Sequence, residues 1–175
     1  ILNDLDQTQY EVGKFNYPLK EKVLKGEKIF IRTKYNQPFS DKYFFKSAIL
    51  DLKNQNYIAQ DINIELKKNI FGNKNNDPRF KGLSSSFENG ITTINKGVFT
   101  SCKKNDDCPP WTIQADKIMY DKNKKQITYD NALVKVYDIP VFYFPKFFHP
   151  GPTVKRQSGF LVPYINNSNI LGSSL

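Results

Sequence analysis

Apolar and polar residues alternate with a period of two along most of this chain, a pattern that suits extended strands with one buried face. From Tyr57 to Leu66 the alternation sets Ile58, Ile62, Ile64 and Leu66 on one face, with Ala59, Asp61, Asn63 and Glu65 on the other. From Lys125 to Asp138 it sets Ala132, Val134 and Val136 against Ile127, Tyr129, Leu133 and Tyr137. In the strand before it, Trp111, Ile113, Ala115 and Met119 share a face. Asn, Asp, Lys and Gly punctuate these runs, as turns require. Only the first two dozen residues have a spacing that suits a short helix, so the chain is expected to be essentially all β.

The strands recur as hairpins. Ala48 to Asp61 overlays Lys117 to Asp130 without a gap, matching Ile49 to Ile118, Lys53-Asn54 to Lys122-Asn123, and Ile58 to Ile127. Ser85 to Thr100 resembles a third, shorter copy. Hairpins of this size cannot bury an apolar face alone and must stack, which points to a twisted, partly open β-jelly roll or elongated sandwich. At 175 residues there is enough chain for one domain with a real core.

Twenty-six Lys and Arg against 17 Asp and Glu leave a formal charge of +9. Such a surplus suits a phosphate-bearing partner such as an anionic lipid, a membrane surface or a nucleic acid, or simply a lysine-rich solvated surface. No uncharged apolar run approaches the ~20 residues of a membrane helix. The longest, Ile139 to Pro145, lies between Asp138 and Lys146. No signal peptide is visible, and because the chain opens and stops in mid-pattern we expect a fragment.

Residues for catalysis are scarce. The one histidine, His149, sits in His149-Pro150-Gly151-Pro152, a sequence that reads as a surface turn, and no nucleophile or carboxylate adjoins it. Two cysteines and one histidine cannot complete a four-ligand zinc site, and neither common glycine-rich phosphate loop is present, so neither an enzyme nor a cofactor is expected. Cys102 and Cys108 bracket a polar loop and suggest a disulfide, with two free thiols as the alternative. Phe142, Phe144, Phe147 and Phe148 form a dense aromatic cluster, suited either to a core or to holding acyl chains.

Four motifs in order then resemble one family. Val98-Phe99-Thr100-Ser101-Cys102, with Cys108-Pro109-Pro110-Trp111, looks like the middle of the OstA-like region of the LptD family of lipopolysaccharide-assembly proteins. Trp111-Thr112-Ile113-Gln114-Ala115, Tyr129-Asp130-Asn131-Ala132 and Ile139-Pro140-Val141-Phe142-Tyr143-Phe144-Pro145 resemble its successive strands. His149 to Pro163, ending Gln157-Ser158-Gly159-Phe160-Leu161-Val162-Pro163, resembles its domain-to-barrel junction. The similarity is strong from about Val98 to Leu171 and rests on pattern alone before that.

The resemblance implies a periplasmic OstA-like β-jelly-roll domain over residues 1–148, a hinge at 149–157, and the start of an outer-membrane β-barrel at 158–175. It implies transport of lipopolysaccharide: receipt from an LptA-like periplasmic bridge protein, passage of acyl chains along an apolar groove, and delivery to a barrel plugged by an LptE-like lipoprotein. Ile58, Ile62, Ile64, Ile127, Leu133 and Phe142 are the residues expected to line or adjoin that lipid path, with Lys and Arg at the rim facing the lipid phosphates. Pro163, in what resembles the first barrel strand, is expected to act as a gate that weakens pairing at the barrel seam. In parts of the family, cysteines here pair with barrel cysteines, so the partner of Cys102 stays open. The alternative is a structural or adhesin-like β-sandwich without lipid cargo; a nucleic-acid partner is not expected.

Overall fold

In a computed structural model, the described residues are 2–3, 7–18, 20–37, 40–67, 76–104, 110–151, 166–168 and 172–174. Among them every regular element is a strand: β1 (Leu2–Asn3), β2 (Gln9–Asn16), β3 (Val23–Arg32), β4 (Lys42–Asp51), β5 (Asn56–Glu65), β6 (Arg79–Glu88), β7 (Ile91–Thr100), β8 (Trp111–Asp121), β9 (Gln126–Val136), β10 (Ile139–Pro150), β11 (Asn166–Ser168) and β12 (Gly172–Ser174). The first ten form one open sheet in chain order, each strand antiparallel to the next; β11 and β12 make a separate two-stranded sheet. The expected all-β, partly open architecture is therefore present, with up-and-down connectivity. The short helix that the first residues suggested is absent from its described part. Gln9–Asn16 instead pairs with β3, where Val12 lies opposite Ile29, and tertiary pairing overrides local spacing.

The sheet does not keep one alternation from end to end. From β2/β3 to β9/β10, every ladder breaks at the same level, skipping one pair, or two between β6 and β7. The skipped positions run across the sheet as Gly13, Lys28, Lys46, Asp61, Leu83, Lys96, Asp116, Asn131 and Pro145. On alternate strands the residue there is left-handed: Lys28 (φ 53°), Asp61 (φ 47°), Lys96 (φ 49°) and Asn131 (φ 52°). A left-handed residue interrupts the pleat, so two successive side chains point outward before the alternation resumes. Gln60 and Asp61 are both exposed, as are Asn95 and Lys96, with buried residues on either side.

This line is a bend along which the whole sheet folds over itself. Phe99, below the bend on β7, has its ring 6.5 Å from that of Tyr129 and 6.0 Å from that of His149, both above the bend on β9 and β10. Glycine lets the inner corner close: a Cβ on Gly97 would stand 2.6 Å from Ile118 Cδ1, and one on Gly82 would collide with Ile94 Cγ2. Outside the bend, polar pairs cross the strands. Lys46 meets Asp61 at 3.0 Å, Lys96 meets Asp116, and Asn131 Nδ2 donates to Asp116 Oδ2 at 2.9 Å. These pairs are exposed to solvent, which screens them, so each contributes little.

The hairpin repeat is real but lies one residue away from the sequence overlay. Asp51 and Asp121 both accept hydrogen bonds from backbone amides two and three residues on, at 2.9–3.0 Å. Gln55 and Lys125 are both left-handed, and Asp61 corresponds to Asn131. Turn geometry fixes this register, whereas the overlay had followed residue identity. β10 carries Pro140, Pro145 and Pro150, which is tolerable because among the described residues it pairs only with β9. It also runs through His149 and Pro150, so the first two residues of the expected hinge belong to the sheet.

Candidate functional site

Between the two halves of the folded sheet lies an apolar interior. Leu24, Ile29, Phe45, Ile62, Ile113, Ile118 and Ile127 are almost wholly buried there. At the Phe99–Tyr129 end the halves touch, and both side chains have no exposed surface. Toward the other side they part, leaving two adjoining cavities of about 280 Å³ and 230 Å³. Ile31, Leu50, Tyr57 and Phe87 line the first; Ile64, Leu66, Phe80, Ile94 and Ile118 line the second. Thr33, Tyr43, Thr92 and Lys122 belong to both.

The mouth is ringed by phenols. Burial raises the Tyr43 pKa far above the usual phenol value, with Asp41, Tyr57 and Tyr120 adding to the effect. Burial also raises Tyr57, partly opposed by hydrogen bonds from Ser85 and Thr92, and raises Tyr120, helped by Asp41. These hydroxyls therefore remain neutral at physiological pH, so the walls are apolar faces with uncharged polar tips. Lys122 lies over the Phe87 ring, 4.8 Å from its centroid. Asp41 Oδ1 accepts the Lys67 amide at 2.8 Å. An apolar slot with neutral walls and a basic rim suits a molecule with hydrocarbon at one end and charge at the other.

Ile62 and Ile64 face this interior at 3% exposure and Ile127 at 1%. Ile58 does not share their face, contrary to the simple alternation. Asp61 reverses the phase between them, and Ile58 is 63% exposed on the outer surface. Leu133 lies between inward-facing Ala132 and Val134 and is half-buried on the outer side. Phe142, 59% exposed, is likewise outside, whereas Phe144 and Phe147 pack against the core. The same reversal brings Tyr129, Ala132 and Val134 inward together, and puts Ile118 rather than Met119 with Ile113 and Ala115.

His149 is not a surface turn residue. It is 2% exposed, with its Nδ1 2.8 Å from the Pro150 carbonyl and its Nε2 2.9 Å from the Tyr129 hydroxyl. A carbonyl can only accept, so Nδ1 carries the proton and the Tyr129 O–H donates to Nε2. This is a buried structural pair, not a general acid or base in a cleft. Cys102, two residues past β7, is a half-buried free thiol in this structure, with its Sγ 3.7 Å from the Trp111 carbonyl oxygen. Cys108 and Pro163 lie outside the described residues, as do 158–165, the opening of the expected barrel. Among the described residues, no three His, Cys, Asp or Glu side chains gather in a metal-binding group. The mouth itself went unread in the sequence. Tyr43 and Tyr120 continue the inward series of Phe45 and Ile118, but Lys122 is a turn residue without a distinguishing pattern.

Fold and interior together define a class: an open, all-antiparallel β-meander bent along one line around an apolar groove. No family model matches the chain. Over 76 residues it is 36% identical to the LPS-assembly protein LptD of Sodalis glossinidius, and 37% identical to LptD of Escherichia coli strain K12. The matched stretch is 43% of this chain and 9% of each relative, so the match spans less than a tenth of their length. Among solved structures, it aligns with LptH of Pseudomonas aeruginosa, titled the LptA-homologous periplasmic component of the lipopolysaccharide transport device. That alignment has a TM-score of 0.48 and 14% identity over 65% of this chain and 75% of that one.

Proposed function

We propose that this chain is the groove-forming part of a lipopolysaccharide-assembly protein of the LptD kind, acting without catalysis at the periplasmic side of the outer membrane. The observation that carries the reading is the apolar interior that opens at the tyrosine-ringed mouth; the identity with LptD over 76 residues supports it. Each buried methylene of an acyl chain is worth about 0.8 kcal/mol, so a multiply acylated lipid needs a continuous apolar route. Ile62, Ile64 and Ile127 belong to that route. Ile58, Leu133 and Phe142 belong to the outer surface. Passage beyond the cavities requires the halves to part where Phe99 now meets Tyr129. Three prolines remove donors from β10, so addition of an LptA-like bridge protein to the sheet is favoured on the β2 side. Delivery to a barrel with an LptE-like plug, gated at Pro163, follows on the same reading.

A charged side chain at the mouth separates this proposal from a cargo-free sandwich. Leu66 is half-buried and lines the second cavity, so Leu66→Glu should leave folded protein at wild-type abundance while lowering surface lipopolysaccharide. Sensitivity to large hydrophobic antibiotics should rise with it. Ile58→Glu on the outer surface should do neither. Normal export in both variants would favour the sandwich.

A further inference from the structure

Among the described residues that line both cavities, Lys122 is the one that carries a charge. Its ammonium lies over the Phe87 ring, 4.8 Å from the centroid. The rim of the second cavity carries two more cations, Lys34 and Lys67, against the single carboxylate of Asp41. At the first cavity the facing carboxylate, Asp51, is already taken up by the amides of Lys53 and Asn54 and by Asn54 Nδ2. The mouth thus has more positive charge than its own acids neutralise, set directly above apolar walls. A cation–π contact at an exposed site is weak, about 0.5–1 kcal/mol, so an anion of suitable geometry can draw the ammonium away.

We propose that this mouth is an entry subsite for a phosphorylated amphiphile, in which Lys122, with Lys34 and Lys67, holds the phosphate while the hydrocarbon enters the cavities beneath. The inference rests on the reading of the interior as a lipid path and adds to it the residues that select the charged end. A carboxylated or neutral amphiphile gains less, because a phosphate offers three acceptor oxygens to these lysines.

The test measures binding of fluorescent bisphosphorylated lipid A, and of the same lipid without phosphates, to the full-length protein. Lys122→Met keeps the length of the side chain and removes its charge. It is expected to weaken binding of bisphosphorylated lipid A on the order of tenfold, the scale of one charge-assisted contact, and to leave the phosphate-free lipid unchanged. Lys124→Met, in the same turn beside Asp121, is the control and should change neither. Equal losses for the two lipids, or equal losses in the two variants, would overturn the subsite while leaving the lipid path standing. Failure of the wild-type protein to bind either lipid would overturn the lipid path and the subsite together.

Discussion

The Tyr129–His149 pair allows stability to be forecast in both magnitude and pH dependence. Tyr129→Phe removes the hydroxyl that donates to His149 Nε2, in a site where Tyr129 has no exposed surface and His149 only 2%. Withdrawing a donor from a buried acceptor costs about 1–3 kcal/mol. For a chain of this size that lowers Tm by about 2–4 °C per kcal/mol. Burial lowers the His149 pKa below its usual 6.5, the hydrogen bond to Pro150 opposing in part. The unfolded chain therefore takes up a proton before the folded one does. Stability from the neutral ring is full above about pH 6.5 and falls as pH drops toward the folded pKa, by at most about 1.4 kcal/mol per pH unit. His149→Phe, which cannot titrate, should flatten that part of the profile even if it is less stable overall. Urea unfolding followed by Trp111 fluorescence from pH 7.5 to 5 measures both effects. A Tyr129→Phe variant within 0.5 kcal/mol of wild type, or an unchanged slope in His149→Phe, would refute the reasoning.

The inner corner of the bend should resist added volume. Gly97→Ala would put a Cβ 2.6 Å from Ile118 Cδ1 and should destabilise by about 1–3 kcal/mol in the same assay; a neutral result would mean the bend is not tightly closed. Cys102 and Cys108 are expected to be joined in the oxidised chain, closing a short loop worth about 2–3 kcal/mol in the entropic model. Non-reducing mass spectrometry checks this, and two alkylatable thiols in the folded, oxidised chain would exclude the bond.

Much of the fold could be read from period two, because that signal needs only a strand with one buried face. β5, β8 and β9 all fall where alternation places them. What period two cannot carry is a change of phase. The bend depends on left-handed backbone at Lys28, Asp61, Lys96 and Asn131, and only Asp and Asn adopt that conformation with any ease. The two lysines carry no local signal, and the conformation is imposed by the facing half of the sheet. Simple alternation therefore gives Ile58 the face of Ile62 and sets Ile127 opposite Ala132. His149 departs from its sequence pattern for a related reason. Pro150-Gly151 marks a turn in isolation, yet an edge strand accepts proline, and Tyr129 on β9 gives the imidazole a buried partner. The candidate site was legible only as an apolar face. Its mouth joins residues from β3 to β8 that meet only after the sheet has folded over.

The central claim is that lipid travels inside the bent sheet, and β5 offers the most direct test because the bend crosses it. A photo-crosslinking amino acid placed singly at Tyr57, Ile58, Ala59, Gln60, Ile62, Asn63 and Ile64 in growing cells should give lipopolysaccharide adducts at Tyr57, Ala59, Ile62 and Ile64. Ile58, Gln60 and Asn63 should give none, so the pattern alternates up to Gln60 and resumes from Ile62 in the opposite phase. Adducts at Ile58 with none at Ile64, or none at any inward position while export proceeds, would contradict the account.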